Sequence, residues 1–431
     1  MNPTSIVRSF IILILVSLTT LSGSNLARAA EDPLGPTLLV ISIDGARHDF
    51  LELHDAPALS ELADRSLRAD ALQPVFPTKT FTNHYSLVTG LLPRNHGIVD
   101  NNMYDNRMNL RFSLGNREQV QNPDWWGGEP IWVTAIKQDL VAGTFFFPGS
   151  EAPVQGISPN YWFTYDDSIS NRERVDTILM WLEKPDDERP SLMTLYFSDV
   201  DSAGHNHGPN SPEVARAMAD IDVEIAYLLE QLAARELLDQ INIMVTSDHG
   251  MAEVNLHQHI VIDQAFDTSL AGQILYSREL VSIFPEPGQL ETIVAQLEAN
   301  LPDQASVFTA DTLPARFELT GHHRIAPVLV LAQPGWAMLR RSWLDGMQRD
   351  GSLDNVSGGH GYDNLSPDMQ ALFFAHGPAF LAPGKIDQLR MIDVYNVMTA
   401  ILGLTPAPND GDPALVPMML KPEIVRNWTA P

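Results

Sequence analysis

A largely apolar, β-branched run at residues 38–43 stops abruptly at Asp44-Gly45. Two further runs end in the same way: 192–197 leads into Asp199 and Asp201, and 241–246 leads into Asp248-His249. Continuous apolar runs without alternation predict strands covered on both faces, the habit of a parallel sheet. Residues 328–331 and 371–375 are further strand candidates, and helical periodicity marks 56–66, 172–182, 212–232 and 393–401. Strands alternating with helices predict an α/β fold, a doubly wound and mostly parallel sheet flanked by helices. Ligands of such sheets collect beyond the carboxyl ends of the strands, where these acids and histidines fall. The stretch 252–350 has no comparable acid–histidine strand end and includes Pro285, Pro287 and Pro302, which predicts an inserted smaller subdomain. The proline-rich tail from Pro406 is expected to wrap the surface.

The first residues have a different character. Arg8 precedes a short apolar segment from Phe10 to Leu21, and Ala27-Arg28-Ala29 fits a small-x-small cleavage pattern. The pattern predicts a signal peptide over 1–29, with the catalytic domain at 30–431. The apolar segment is shorter than the roughly 18 residues of a membrane span, and no second one follows, so no stable membrane anchor is expected. Cysteine is absent from the sequence, which excludes disulfides and a lipid-modified cysteine. An exported chain of this kind suits a periplasm or the external medium. Acids outnumber bases 54 to 27, and losing Arg8 and Arg28 with the leader takes the formal net charge from −27 to −29. Such a surface repels duplex nucleic acid, whereas a small anion remains admissible where metal cations dominate the local field. Oligomeric state is not legible.

Six residues stand out as metal ligands by type and context. Asp44 ends the first strand, Asp201 and His205 are four apart, Asp248 and His249 adjoin at a strand end, and His360 lies in Gly358-Gly-His-Gly. Taken singly each has an ordinary explanation, since a strand-end aspartate is often a helix cap. Three strand ends all terminating in ligand types are harder to explain so. Mixed carboxylate and imidazole ligands suit zinc, and two such ions roughly 4 Å apart can clamp the attacking and leaving oxygens of a displacement. A nucleophile candidate lies in Phe76-Pro-Thr-Lys-Thr80-Phe-Thr-Asn-His84. Thr80, if it opens a helix, would place backbone N–H groups toward an incoming phosphate. Thr78 is its rival, and an N-cap is the plain alternative.

Phe76-Pro-Thr-Lys-Thr80-Phe81, Asn83-His-Tyr-Ser-Leu-Val-Thr-Gly90, Gly143-Thr-Phe-Phe-Phe-Pro-Gly-Ser150, Ser247-Asp-His-Gly-Met251 and Gly359-His-Gly-Tyr-Asp-Asn364 together resemble the nucleotide pyrophosphatase/phosphodiesterase family. That family belongs to the alkaline phosphatase superfamily, and the chain is similar to a bacterial, single-domain type. The resemblance implies an alkaline phosphatase-like fold and two zinc ions, one held by Asp201, His205 and His360. The other would be held by Asp44, Asp248 and His249, completed by the Thr80 oxygen. It implies that Thr80 forms a covalent nucleotidyl intermediate, and that Asn101 and the Phe81 N–H donate to a phosphate oxygen. Phe81 and Tyr196, with Tyr165 nearby, would stack the base of a small nucleotide-like diester or pyrophosphate. Thr82 and Asp199-Val200 depart from the family pattern without touching a proposed ligand.

Other readings make different demands. A sulfatase needs a Cys/Ser-x-Pro-x-Arg motif, which the nucleophile segment lacks. A phosphomonoesterase needs a cation for the extra phosphate charge, and Lys79 is the one cation beside Thr80. A lipid-directed phosphodiesterase needs an acyl channel, and a non-catalytic binding module would be expected to lose a ligand.

Overall fold

The computed structural model describes residues 34–381 and 383–431, so the expected leader lies outside the described residues. Its centre is an eight-stranded sheet in the spatial order Gly384–Ile386, Leu67–Ala69, Phe373–His376, Asn242–Thr246, Leu38–Ile43, Leu192–Phe197, Ala142–Phe145, Tyr161–Trp162. Leu38–Ile43 runs parallel to both neighbours, with Ile43 level with Phe197 and Ser42 level with Thr246. That register brings three strand ends to one edge, so Asp44, Asp201 and Asp248 leave the sheet side by side. Phe373–His376 is antiparallel to both its neighbours. The sheet is therefore mostly, not wholly, parallel.

Both faces are covered, which explains the unbroken apolar runs. Leu39, Ile41 and Ile43 pack with the helices Pro57–Asp64, Asn171–Leu182 and Pro212–Ala234. Leu38 and Val40 face the opposite layer, with the helices Thr80–Thr89, Ile131–Lys137 and Val394–Ile401. The candidate strand at 328–331 lies elsewhere, in a four-stranded antiparallel sheet ordered Ala271–Leu275, Leu280–Pro285, Val328–Ala332, Ala305–Thr309. The tail is more than a wrapping: Val416, Met419 and Leu420 are buried in the main core. Among the described residues no helix is long and apolar enough to cross a membrane.

The helix Pro57–Asp64 begins at Ala56, which has no capping side chain. Its first N–H groups are instead received by buried Asp222 from the neighbouring long helix, at 3.1 Å from Ala58 and 2.7 Å from Leu59. Losing this cap strands buried donors. Asp222→Ala is expected to lower unfolding free energy by about 2 kcal/mol in a urea titration, with turnover per folded molecule unchanged.

Candidate active site

Three carboxylates meet at the sheet edge. Asp44 and Asp248 are buried and Asp201 nearly so, and among the described residues Asp44 Oδ1, Asp201 Oδ1 and Asp248 Oδ2 are buried without a hydrogen-bond partner. Their other contacts aim them. The Tyr196 hydroxyl donates to Asp44 Oδ2, and the Gly45 N–H donates to Asp248 Oδ1 at 3.2 Å. Gly45 has φ +72°, and a Cβ there would stand 3.0 Å from Asp201 Cα, so a side chain would push the two segments apart. Burial pushes the Asp44 carboxyl well above the usual range, and repulsion from Asp248 and Asp201 adds to it. Burial works to raise Asp248 as well, but attraction from His249 and His84 outweighs it and holds that carboxyl well below. So much buried negative charge with open oxygens calls for a cation.

The histidines are arranged to supply the rest of such a site. His205 Nδ1 donates to the Gly358 carbonyl (3.1 Å), His249 Nδ1 to that of Gly250 (2.9 Å) and His360 Nδ1 to that of Thr78 (2.8 Å). A carbonyl can only accept, so each Nδ1 carries a proton, and in the neutral ring it is Nε2 that offers a lone pair to a metal. Those lone pairs turn toward the carboxylates: His249 Nε2 is 2.9 Å from Asp248 Oδ2 and 3.5 Å from Asp44 Oδ1. His205 Nε2 lies 3.4 Å from Asp201 Oδ1, and His360 Nε2 lies 3.6 Å from the same oxygen. The Nε2 atoms of His205 and His360 are 3.0 Å apart, a contact that in the neutral rings a shared cation would relieve. Burial, with His249, Lys79 and His205 nearby, holds the His360 ring well below usual imidazole basicity, as a neutral ligand. Asp201, His205 and His360 form one group whose ligand atoms lie within 4.8 Å, and Asp44, Asp201 and His249 form another.

His84 is a site residue that sequence reasoning missed. It is buried beside Asp44 and Asp248 and could be grouped with them as a ligand. The geometry gives it another task. Its Nδ1 donates to the Thr80 carbonyl at 2.9 Å, which leaves Nε2 to accept from the Ser42 hydroxyl at 2.8 Å. Both ring nitrogens are engaged, and the ring ties the Thr80 segment to the central strand. The signal in the sequence is the spacing of four from Thr80, readable only once a helix is placed there.

The structure separates the two threonines. Thr80 is the first residue of the helix Thr80–Thr89, whose N-cap, Lys79, contributes no capping bond. Its Oγ1 lies 3.2 Å from His249 Nε2, at the edge of the carboxylate cluster. Thr78 Oγ1 instead accepts the Gly361 N–H at 2.8 Å and donates to the Tyr362 carbonyl at 3.2 Å. Lys79 is also committed: its buried Nζ donates to Glu279 Oε2 (2.7 Å), the His360 carbonyl (2.7 Å) and Ser277 Oγ (3.1 Å). Asn101 Oδ1 accepts the Phe81 N–H at 2.9 Å. That N–H, expected to face a phosphate, is spent on orienting the amide, and the Asn101 NH₂ is what remains to donate.

Phe81 and Tyr165 are half-buried. Phe81 is backed by Phe112 and Trp126 at 5.9 and 5.8 Å, and Tyr165 by Phe146 at 5.2 Å. Tyr196, expected as a stacking wall, is only 8% exposed, and its hydroxyl is held by Asp44. Its place is beneath the site, as an orienter of the carboxylate.

An α/β sheet of this topology, with an Asp/His cluster able to hold metal at the carboxyl edge and a threonine opening the adjacent helix, defines an alkaline phosphatase-like fold with a candidate metal centre. The model of the family "Type I phosphodiesterase / nucleotide pyrophosphatase" matches residues 38–363, and the chain belongs to that family. It is 37% identical over 404 residues to ectonucleotide pyrophosphatase/phosphodiesterase family member 1 of Mus musculus, covering 92% of this chain and 44% of the relative. It is also 37% identical over 395 residues to venom phosphodiesterase CdcPDE of Crotalus durissus collilineatus, covering 89% of this chain and 46% of the relative. The chain thus spans about half the length of these curated relatives. The solved structure of murine ectonucleotide pyrophosphatase/phosphodiesterase 5 superposes with a TM-score of 0.83 at 30% identity, over 89% of this chain and 100% of that one. An inactive form of the same murine protein, in complex with AMP, superposes with a TM-score of 0.82.

Proposed function

We propose that the chain is an exported, two-zinc phosphodiesterase that cleaves phosphodiester or pyrophosphate bonds of nucleotides through Thr80. The observation that carries this reading is the convergence of three orphaned carboxylate oxygens and three imidazole lone pairs beside the Thr80 hydroxyl. Asp201, His205 and His360 would hold one ion; Asp44, Asp248 and His249 would hold the other, completed by Thr80 Oγ1. When bound, zinc supplies Lewis acidity to phosphoryl oxygens and favours the deprotonated form of a hydroxyl it contacts. Thr80 Oγ1 bonds to phosphorus as the bond to the leaving oxygen breaks, giving a nucleotidyl-threonine ester. Water then cleaves that ester and restores the hydroxyl. The Asn101 amide, oriented by the Phe81 N–H, donates to a non-bridging oxygen as its charge grows. Phe81 and Tyr165 would frame the base; that the murine relative forms a complex with AMP supports a nucleotide as the ligand. The leader-like first residues and the "ectonucleotide" and "venom" names of the relatives support export.

Metal content and product identity test this directly. The active protein is expected to contain about two zinc ions per chain, and chelation to lower turnover at least about a hundredfold until zinc is returned. A nucleoside triphosphate or dinucleotide should release a 5′-mononucleotide. Fully active chains with substantially fewer than two transition metals would count against the reading.

The aromatic frame makes a separate prediction. Stacking a base on an aromatic ring contributes roughly 1–3 kcal/mol. Truncating Phe81 and Tyr165 to alanine should therefore raise KM for para-nitrophenyl thymidine monophosphate about tenfold or more, and raise KM for methyl para-nitrophenyl phosphate far less. Equal changes for the two substrates would assign the rings to packing.

A further inference from the structure

The loop that carries Asn101 has both ends fastened to one buried side chain. Arg324, 6% exposed, lies with its guanidinium 4.6 Å over the Trp125 ring. Its Nη1 donates to the carbonyls of Gly97 (2.9 Å) and Trp125 (2.6 Å), and its Nη2 to that of Asp124 (2.8 Å). Its Nε donates to Asp105 Oδ2 at 2.7 Å. Gly97 and Asp105 stand four residues before and four residues after Asn101. One planar fork therefore sets the separation of the two ends.

Each end is built to receive it. Gly97 has φ +80°, and a Cβ there would come 2.9 Å from Arg324 Nη1, in the space the guanidinium uses. Asp105 is buried, accepts His323 Nε2 on the same Oδ2 at 2.8 Å, and uses Oδ1 to receive the N–H groups of Arg107 and Met108. Between the ends, Asp100 Oδ1 accepts the Asn102 N–H at 3.2 Å, which tightens the loop at Asn101.

We propose that Arg324 is a positioning residue for the reaction: by joining Gly97 to Asp105 it fixes where the Asn101 amide meets the phosphoryl oxygen. This rests on the reading of Asn101 as a donor in the transition state. A donor contributes most when it is held in place before charge develops, and a small displacement forfeits much of that benefit. Lysine keeps the charge of Arg324 but cannot span the same acceptors with a rigid fork.

A double-mutant cycle on the zinc-loaded enzyme, with para-nitrophenyl thymidine monophosphate as substrate, tests the proposal. Arg324→Lys should lower kcat about tenfold or more with KM changed less than about threefold, and the same change in an Asn101→Ala background should cost less than about twofold. Asp105→Asn, which keeps the side-chain shape, should show the same non-additivity and carries the test if Arg324→Lys folds poorly. Losses that multiply in full with that of Asn101→Ala would overturn the positioning role while leaving Asn101 as a donor. Near-normal turnover of Asn101→Ala alone would remove the donor reading, and the proposal with it.

Discussion

Replacing Thr80 by alanine is expected to lower turnover of a nucleotide diester at least about a thousandfold, or ~4 kcal/mol of transition-state stabilisation. The chain should still fold, because the hydroxyl makes no bond that the helix needs: Lys79 is its N-cap, and the Thr80 carbonyl, which alanine keeps, receives His84. The Thr80 hydroxyl is the one that lies at the candidate metal centre, 3.2 Å from His249 Nε2. Thr78→Ala should behave in the opposite way, since it removes the acceptor of the Gly361 N–H beside His360. It is expected to lower stability by about 1–2 kcal/mol and to reduce turnover less than Thr80→Ala. Peptide mapping of a rapidly quenched reaction should find the nucleotidyl group on Thr80. Near-normal turnover of Thr80→Ala would transfer the attack to Thr78 or to water.

The second large effect is selectivity for diesters over monoesters. A monoester brings a dianion, with one more charged oxygen than a diester presents. On the proposed reading, two zinc ions and the Asn101 amide would serve the oxygens common to both. The extra oxygen needs a cation of its own, and leaving it unpaired in a desolvated site is costly. Lys79, the cation adjacent to Thr80 in sequence, is buried against Glu279 and the His360 carbonyl and does not supply one. A second ester group would instead meet the half-buried Phe81 and Tyr165. The specificity constant for a nucleotide diester should therefore exceed that for an aryl monoester by at least about a hundredfold, or ~2.7 kcal/mol.

The three acid-bearing strand ends were legible because strands covered on both faces are apolar at every position. Leu38–Ile43, Leu192–Phe197 and Asn242–Thr246 leave no alternation to misread, and the acids that follow them mark the edge. The same signal was ambiguous at 328–331, since an apolar run reports burial and not which sheet provides it. Two short helices were hidden by their chemistry. Asp199–His207 is polar along its length, and Thr80–Thr89 is buried on nearly every side, so neither shows a one-sided apolar stripe. With the helix at Thr80 only a conditional reading, the spacing of four did not by itself tie His84 to Thr80. Lys79, Tyr196 and Arg324 depend on partners 152 to 281 residues away, which local spacing does not reveal.

The most direct measurement is the pair of specificity constants for para-nitrophenyl thymidine monophosphate and para-nitrophenyl phosphate, taken on the zinc-loaded enzyme in one buffer. Both substrates release the same chromophore, so the ratio reports what surrounds the phosphorus and not the leaving group. The account predicts a ratio of at least about one hundred in favour of the nucleotide diester. A ratio at or below one would contradict the phosphodiesterase assignment, while leaving the metal cluster and Thr80 where the structure places them.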